Sequence, residues 1–350
     1  MPRVIGIDPG TVSIDLCGLD GERLYLDRSL PTAGALSDPE SFIALLSEGG
    51  APDLIAGPSG YGLPLVRAAE ATDEDLRLAF LPGDEDAGGI GGLRRLARLL
   101  AGSRLPVLYT PGVIHLPTVP SFRKINRVDL GTADKVASTA LAIARQAERL
   151  GIPLAATSLI LIELGGAFTA AVAVDRGRIV DGIGGTSGPI GWHSAGALDG
   201  EVAFLAGLVT KQLLFQGGVT SVQRADRAGG MAAYAEGAVK AVLSLTASVR
   251  APREILLSGR HSADPAVAGE LEARLSAVAP VRVLDGFARV AKAGAQGAAL
   301  IAEGLAGGRY RELVERLGLR QASGTALDHL YVVDRMIARR RLGLGQAEPR

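Results

Sequence analysis

The strongest candidate for chemistry lies where an apolar segment near the N-terminus ends. The segment VIGIDPGT (residues 4–11) runs as a strand into Asp8, Gly10 and Thr11. We expect Gly10 to adopt backbone angles closed to other residues, so that a tight turn presents N–H groups to a phosphate. Asp8, at the carboxyl end of the strand, is suited to hold a divalent cation. The segment therefore predicts either phosphate binding or the carboxylate-bound metal of a nuclease.

The same pattern recurs 155 residues later. Residues 4–28 and 159–181 each read as strand, glycine turn, strand, hairpin and strand, with one extra residue expected in the second hairpin. The aligned pairs are Asp8 with Glu163, Gly10 with Gly165, and Asp20 with Asp175. This internal duplication predicts two similar domains that face each other with both turns at the cleft.

The elements that must position these turns alternate between strands and amphipathic helices. Helical spacing with capping residues predicts helices over residues 38–48, 131–151, 198–218, 230–250, 264–278 and 290–308. Apolar segments between them, such as REILLSGR (253–260), read as buried strands. The alternation predicts an α/β fold.

Composition narrows the classes of function. A chain of 350 residues with 47% hydrophobic residues can bury a large core and divide into two domains. Its 37 basic and 37 acidic residues cancel, which does not favour a nucleic-acid partner. The single cysteine, Cys17, cannot form an intramolecular disulfide. With no signal-peptide pattern and no 18-residue apolar stretch, we expect a cytoplasmic protein with no membrane partner.

Three segments together resemble the ATPase superfamily of actin, the sugar and acetate kinases and the major heat-shock chaperones. GIDPGTVS (6–13) is similar to the first phosphate motif, ELGGAFT (163–169) to the second, and ILLSGRHSADP (255–265) to the adenosine motif. The resemblance implies two actin-like (ribonuclease H-like) domains with an interdomain ATP cleft. The implied parts are an N-terminal domain (1–130), a hinge helix (131–150), a C-terminal domain (151–290), and a second hinge helix with a helical tail (291–350).

The resemblance also implies ATP and Mg²⁺ as cofactors and gives roles to the motif residues. The phosphates would contact Gly10, Thr11 and Ser13 on one side and Gly165, Gly166 and Thr169 on the other. Ser258 and Gly259 would lie against the adenosine. Asp8 and Glu163 would be catalytic and would hold Mg²⁺, directly or through water.

A polar segment before the hinge helix, SFRKINRVDLGTADK (121–135), is the candidate acceptor site. Arg127 would contact the acceptor or the γ-phosphate, with Arg123 as a second cation. Asp129 would act as a base or bind the substrate. Alternatively, the polar segment is only the solvent-exposed start of the helix and binds no acceptor. His193 and Asp199 are further candidates to line the same cleft. Alternatively, His193 is an ordinary loop residue and Asp199 caps a helix.

A closer likeness is to a group labelled predicted butyrate kinases. It rests on segments 55–65, 122–144 and 187–204. The group implies phosphorylation of a short carboxylate. The acetate and butyrate kinase signature, however, has His before the Leu-Gly of its second motif, where this chain has Glu163, so carboxyl and hydroxyl acceptors both stay open.

The predicted function is therefore an ATP-dependent small-molecule kinase with no nucleic-acid partner; a homodimer is left open. Two alternatives remain. The first is an ATP-driven binding or reactivation module that closes on a protein partner. The second is a metal-dependent nuclease, because IGIDPGT (5–11) also resembles the first strand of RuvC-type resolvases.

Overall fold

The computed structural model describes residues 1–10, 12–57, 60–83 and 90–345. These residues form two compact units. Unit 1 comprises residues 1–128, 132–141 and 286–350, and unit 2 comprises residues 129–131 and 142–285. The C-terminal residues from 286 onward thus group with the N-terminal part of the chain.

Strands form one sheet in each unit. Unit 1 contains β1 (Arg3–Pro9), β2 (Ser13–Asp20), β3 (Arg23–Pro31), β4 (Leu54–Gly57), β5 (Val66–Arg67) and β6 (Val107–Tyr109). Unit 2 contains β7 (Ser158–Leu164), β8 (Thr169–Asp175), β9 (Arg178–Ile183), β10 (Glu254–Ser258) and β11 (Val281–Val283).

Helices connect and cover these strands. In chain order they are α1 (Thr32–Ser37), α2 (Pro39–Leu45), α3 (Asp73–Phe80), α4 (Ile90–Gly102), α5 (Ser121–Lys124), α6 (Ala133–Leu150), α7 (Gly200–Ala206), α8 (Val219–Val222), α9 (Arg227–Leu245), α10 (Pro265–Leu275), α11 (Ala293–Leu305), α12 (Arg311–Leu317) and α13 (Arg335–Arg341). Among the described residues, no helix combines the length and apolar character needed to cross a bilayer.

The two sheets share a five-strand order, to which unit 1 adds β5. The strand order is β3-β2-β1-β4-β6-β5 in unit 1 and β9-β8-β7-β10-β11 in unit 2. In each sheet three antiparallel strands are extended by two parallel strands, and in unit 1 β5 then pairs antiparallel with β6. Parallel neighbours need long crossover connections, and helices supply them. The predicted α/β class is confirmed.

The duplication extends to hydrogen-bond register. In the first copy Asp8 lies opposite Asp15, and in the second Glu163 lies opposite Ala170. The register shift at Gly18/Leu19 reappears at Ala173/Val174, again 155 residues later. The expected extra hairpin residue is wrong. Both hairpins have two-residue loops, since Asp20 pairs with Arg23 and Asp175 with Arg178.

Strand alternation decides which face of each sheet is apolar. In β1, Ile5 and Ile7 point into the core of unit 1, whereas Gly6 faces α11. A Cβ atom on Gly6 would lie 2.1 Å from the carbonyl oxygen of Ala295, so only glycine allows this approach. The small residues of α11 therefore pack directly against β1, which carries Asp8 near its carboxyl end.

In unit 2, β7 packs against α9. Ile160 and Ile162 share one apolar cluster with Tyr234 and Val242. Burying each such aliphatic side chain contributes about 1.5–3 kcal/mol. The side chain of Asp226 caps α9 by accepting a hydrogen bond from the Gly229 N–H. This packing fixes β7, which carries Glu163 near its carboxyl end.

The single helix expected over residues 198–218 is wrong. Helix α7 ends at Ala206 because Gly207 adopts φ +69°, a left-handed conformation that breaks the helical hydrogen-bond pattern. A 3₁₀ turn over Gln212–Phe215 follows.

Candidate active site

The turn between β1 and β2 is closed by a backbone hydrogen bond. The Gly10 N–H donates to the Ser13 carbonyl oxygen at 2.7 Å. Contrary to expectation, the φ of Gly10 lies outside the left-handed region. Glycine is needed for space instead, because a Cβ atom would lie 2.8 Å from that same oxygen. Thr11, a predicted phosphate contact, lies outside the described residues.

The turn between β7 and β8 repeats this geometry. The Gly165 N–H donates to the Phe168 carbonyl oxygen at 3.0 Å, and a Cβ atom on Gly165 would also lie 2.8 Å from that oxygen. Gly166 differs. A Cβ atom there would meet nothing closer than an Arg260 side-chain carbon at 4.0 Å. The second turn therefore presents open backbone at Gly166.

Both predicted metal ligands are half-buried carboxylates at strand ends. A Cβ atom on Gly294, at the start of α11, would lie 2.5 Å from Asp8 Oδ2, so the Asp8 carboxylate lies against this glycine backbone. A Cβ atom on Gly259 would lie 3.0 Å from Glu163 Cγ. Each carboxylate is thus placed by close packing against a glycine of the same unit.

Asp8 and Glu163 each offer a single carboxylate to a metal ion. Within residues 1–10, 12–57, 60–83 and 90–345, no group of three or more His, Cys, Asp or Glu side chains could hold a metal ion. Mg²⁺ typically keeps several waters and uses one or two carboxylates with substrate phosphates. Single strand-end carboxylates such as Asp8 and Glu163 suit that mode.

The predicted adenosine motif lies beside the second turn, at the end of β10. Gly259 adopts φ +89°, and a Cβ atom there would lie 2.6 Å from the Leu164 carbonyl oxygen. The His261 N–H donates to this oxygen at 3.0 Å. The structure therefore brings Ser258 and Gly259 together with Glu163 and Gly165.

Buried polar residues support the second turn. Thr169, which begins β8, is fully buried, and Ser258 is 4% exposed. Burial raises the pKa of the Tyr234 phenol. The predicted contact residue Thr169 thus lies beneath the turn and not on its surface.

Asp129 is enclosed by hydrogen-bond donors. Its Oδ1 atom accepts from the Gly131 N–H at 3.0 Å, and its Oδ2 atom accepts from the Thr186 N–H at 3.0 Å and the Thr186 hydroxyl at 3.1 Å. The residue is 5% exposed, and a Cβ atom on Gly184 would lie 1.8 Å from Oδ1. This geometry fits a clamp that holds the chain after β9.

Of the other acceptor candidates, Arg127, His193 and Asp199 are exposed and Arg123 is half-buried. Arg127 makes no ion pair or side-chain hydrogen bond within the described part of the chain. Arg123 lies over the Phe122 ring, 5.4 Å from its centroid. Asp199 caps α7, with one carboxylate oxygen accepting from two backbone N–H groups, and His193 Nδ1 lies 3.1 Å from the Thr220 hydroxyl. For Asp199 the cap interpretation therefore accounts for its contacts.

Two polar residues near the first turn were not predicted from the sequence as part of the site. Lys292, at the N-cap of α11, places its Nζ atom 2.6 Å from Ser13 Oγ and 2.8 Å from Asp15 Oδ2. Asp15 is 1% exposed and lies opposite Asp8 across β1 and β2. A charged residue inside the apolar run SIDLC was the available signal for Asp15. Nothing local marks Lys292 as its partner.

A stack of two side-chain rings beside the second turn was also not predicted from the sequence. Trp192 and His261 stack at 4.0 Å between centroids, with 19° between their planes. Burial, followed by the nearby Arg260 charge, lowers the pKa of His261. A neutral imidazole against an indole makes this edge of the site largely apolar.

The chain belongs to a family described as "Protein of unknown function (DUF1464)", whose sequence model matches residues 6–332. A search of curated proteins found no match.

Solved structures show the fold. An acetate kinase from Entamoeba histolytica is similar with a TM-score of 0.57 and 10% identity, over 78% of this chain and 86% of that one. A propionate kinase from Francisella tularensis subsp. tularensis SCHU S4 has a TM-score of 0.57 and 13% identity, over 85% and 99%. An acetate kinase from Porphyromonas gingivalis has a TM-score of 0.52 and 15% identity, over 79% and 88%. The fold is thus the actin-like ATPase fold of the acetate and propionate kinases.

Proposed function

We propose that this protein is an ATP- and Mg²⁺-dependent phosphotransferase that acts on a small-molecule acceptor. The matched glycine turns carry the proposal. Each follows an acidic strand end and closes with the same N–H···O bond, from Gly10 to Ser13 and from Gly165 to Phe168. Backbone N–H groups in such turns suit phosphate oxygens. The fold shared with an acetate kinase and a propionate kinase supports the same activity.

In this proposal the chain contributes positioning and charge. In unit 1, the backbone at Gly10 would contact phosphate oxygens and Asp8 would hold the water shell of Mg²⁺. In unit 2, Gly166 and Glu163 would have the same roles, and Ser258 and Gly259 would border the adenosine. Bound Mg²⁺ neutralises charge that develops on the transferred phosphoryl group. Phosphoryl transfer depends mainly on such positioning and electrostatic stabilisation.

We further propose a short-chain carboxylate as the acceptor, as in butyrate kinases. A hydroxyl acceptor must lose its proton, and the enclosed Asp129 carboxylate is poorly placed to take it. A carboxylate with a pKa near 4 is already ionised at pH 7 and needs no base. Its oxygen attacks the γ-phosphorus while the bond to the β,γ-bridging oxygen breaks, which gives an acyl phosphate and ADP. The exposed Arg127 guanidinium suits bidentate contact with such a carboxylate.

Gly166→Ala tests nucleotide binding without disturbing the fold. A methyl group fits sterically at this position but projects over the open turn, so we expect Mg²⁺ with a non-hydrolysable ATP analogue to bind at least tenfold more weakly in calorimetry. Gly269→Ala on α10, where a Cβ atom also meets nothing within 4 Å, is the matched control and should bind as wild type. No nucleotide binding by the wild-type protein, or equal affinity in both variants, would contradict the proposal.

Hydroxamate trapping tests the acceptor. With butyrate and related short carboxylates, we expect ADP formation that depends on the acceptor, together with a trapped acyl hydroxamate. Arg127→Ala should lower kcat/KM while leaving the urea midpoint unchanged. ADP formation only with hydroxyl compounds would refute the carboxylate, and turnover independent of any acceptor would favour an ATP-driven binding module.

A further inference from the structure

A half-open cavity of about 360 Å³ lies on unit 1, away from the glycine turn. Its charged and aromatic lining consists of Arg3, Asp20, Arg23, Tyr25, Arg28 and Glu48. Small-molecule pockets start at about 300 Å³, so the cavity suits a small metabolite. None of these residues takes part in the phosphotransferase site proposed above.

Arg3 and Tyr25 form a fixed wall of the cavity. The Arg3 Cζ atom lies 3.6 Å from the centroid of the Tyr25 ring. Nη1 of Arg3 donates to Asp20 at 3.3 Å and Nη2 donates to the Glu48 carbonyl oxygen at 3.1 Å. With its side chain only 18% exposed, Arg3 presents an oriented guanidinium.

The tyrosine reaches this position because the sheet is irregular there. The register shift at Gly18/Leu19 leaves Tyr25 as the extra residue of β3. A Cβ atom on Gly18 would lie 2.7 Å from the Tyr25 ring, so the ring occupies the space that this glycine leaves open. Bulges commonly re-aim a side chain in this way.

The guanidinium groups of Arg23 and Arg28 also line the cavity. Arg23 and Arg28 are exposed and form no ion pair or side-chain hydrogen bond within the described residues. The three arginines outnumber the two acids of the lining, and Asp20 is already paired with Arg3. The cavity therefore has a net positive charge and free N–H donors.

This cavity is separate from the first glycine turn. Arg3 begins β1, whereas Asp8 lies five residues further along, about 17 Å away at strand spacing. Arg3 pairs with Asp20 on one face of the sheet, and Asp8 pairs with Asp15 on the other. The two sites thus lie on opposite faces as well as at opposite ends of the strand.

The fold itself does not require this arginine cluster. At the offset of 155, Arg3, Tyr25 and Arg28 correspond to Ser158, Val180 and Ile183, whereas Asp20 and Arg23 keep their types, as Asp175 and Arg178. Charged residues protect exposed sheet edges, which accounts for arginines on the edge strand β3. Edge protection does not account for Arg3 on the interior strand β1 or for its stack on Tyr25.

We infer that this cavity is a second binding site, which takes a small dianion that carries a phosphate or paired carboxylates. The fixed Arg3 guanidinium orients one oxyanion group, and Arg23 and Arg28 supply the bidentate contacts that guanidinium makes to phosphate and carboxylate.

Calorimetric titration of the full-length protein with inorganic phosphate, and separately with succinate, tests this site at constant ionic strength. Both titrations are repeated with saturating Mg²⁺ and ATP analogue, so that binding at the proposed nucleotide site is distinguished. We expect at least one anion to bind, with or without the analogue, and the double variant Arg23→Gln, Arg28→Gln to bind at least tenfold more weakly. Phosphate alone would indicate a phosphate ester, and succinate alone a dicarboxylate.

Arg178→Gln is the matched control, because it removes the same charge at the equivalent edge position of the second copy. Its affinity should stay within twofold of wild type. The site is refuted if neither anion binds, if the double variant binds normally, if Arg178→Gln loses as much affinity, or if the ATP analogue abolishes binding. These outcomes do not depend on whether the protein is a kinase.

Discussion

Replacement of Asp129 by Asn should destabilise unit 2. The carboxylate accepts three hydrogen bonds from Gly131 and Thr186 in a buried setting. An amide replaces one of its oxygens with an NH₂ group, which then faces a backbone N–H in either orientation. Losing one hydrogen bond to a charged group costs about 1.5–3 kcal/mol, and the facing donors prevent compensation. We therefore expect Asp129→Asn to lower the free energy of unfolding by about 2–3 kcal/mol.

The single tryptophan provides the assay, because Trp192 lies in the same unit as Asp129. Urea unfolding followed by its fluorescence should show a lower midpoint for Asp129→Asn. Asp199→Asn is the control, and it should change stability by less than about 0.5 kcal/mol because Asn and Asp cap helices equally well. An unchanged midpoint for Asp129→Asn would refute the clamp, and a loss of kcat without loss of stability would restore the role of a base.

Two further predictions concern buried titratable groups in unit 1. Burial lowers the pKa of His115 to about 4. Below about pH 6.5 this imidazole therefore binds a proton in the unfolded chain, whereas in the folded chain it does so only near pH 4. The free energy of unfolding should thus fall as the pH decreases from 6.5 toward 4. In urea titrations at several pH values, His115→Gln should reduce this slope by up to about 1.4 kcal/mol per pH unit. An unchanged slope would contradict the prediction. Lys292→Met should cost about 2 kcal/mol by urea unfolding, less than the 3–5 kcal/mol of a fully buried pair, because Lys292 is 52% exposed and Asp15 is 1% exposed. Adding Asp15→Asn should recover most of that loss, and a double variant no more stable than Lys292→Met would refute the pairing.

Much of the fold was predictable because strand patterns and turn residues are local signals. The 155-residue offset predicted two equivalent hairpins, and the register agrees pair by pair. The reason for glycine at position 10 was not predictable. A positive φ and a carbonyl oxygen 2.8 Å from the missing Cβ atom both require glycine, and only coordinates separate them.

The surroundings of the candidate site depended on contacts distant in sequence. Thr186 donates to Asp129 across 57 residues, and Lys292 contacts Asp15 across 277 residues. No periodicity or motif links such residues, because tertiary packing alone brings them together. The polar segment 121–135 was visible in the sequence, but its division into an enclosed Asp129 and an exposed Arg127 was not.

A comparison of the two hairpin copies distinguishes residues that the fold requires from residues that a ligand would require. Gly10 and Gly165 close their turns alike, yet the residues behind the turns differ. Ser13 and Asp15 in the first copy correspond to Phe168 and Ala170 in the second. The cations beside the turns differ as well: the Lys292 Nζ atom lies 2.6 Å from Ser13 Oγ at the first turn, whereas at the second turn the Arg260 side chain lies nearest to Gly166.

The double variant Asp15→Asn, Lys292→Met isolates the contribution of Lys292 to nucleotide binding. It keeps the net charge of the pair at zero and should be folded, so its affinity for Mg²⁺ and the ATP analogue reports phosphate binding rather than unfolding. If Lys292 contacts a phosphate, the double variant should bind about tenfold more weakly, the effect of one charge-assisted hydrogen bond of about 1.4 kcal/mol. Wild-type affinity would show that Lys292 serves only to balance the buried Asp15.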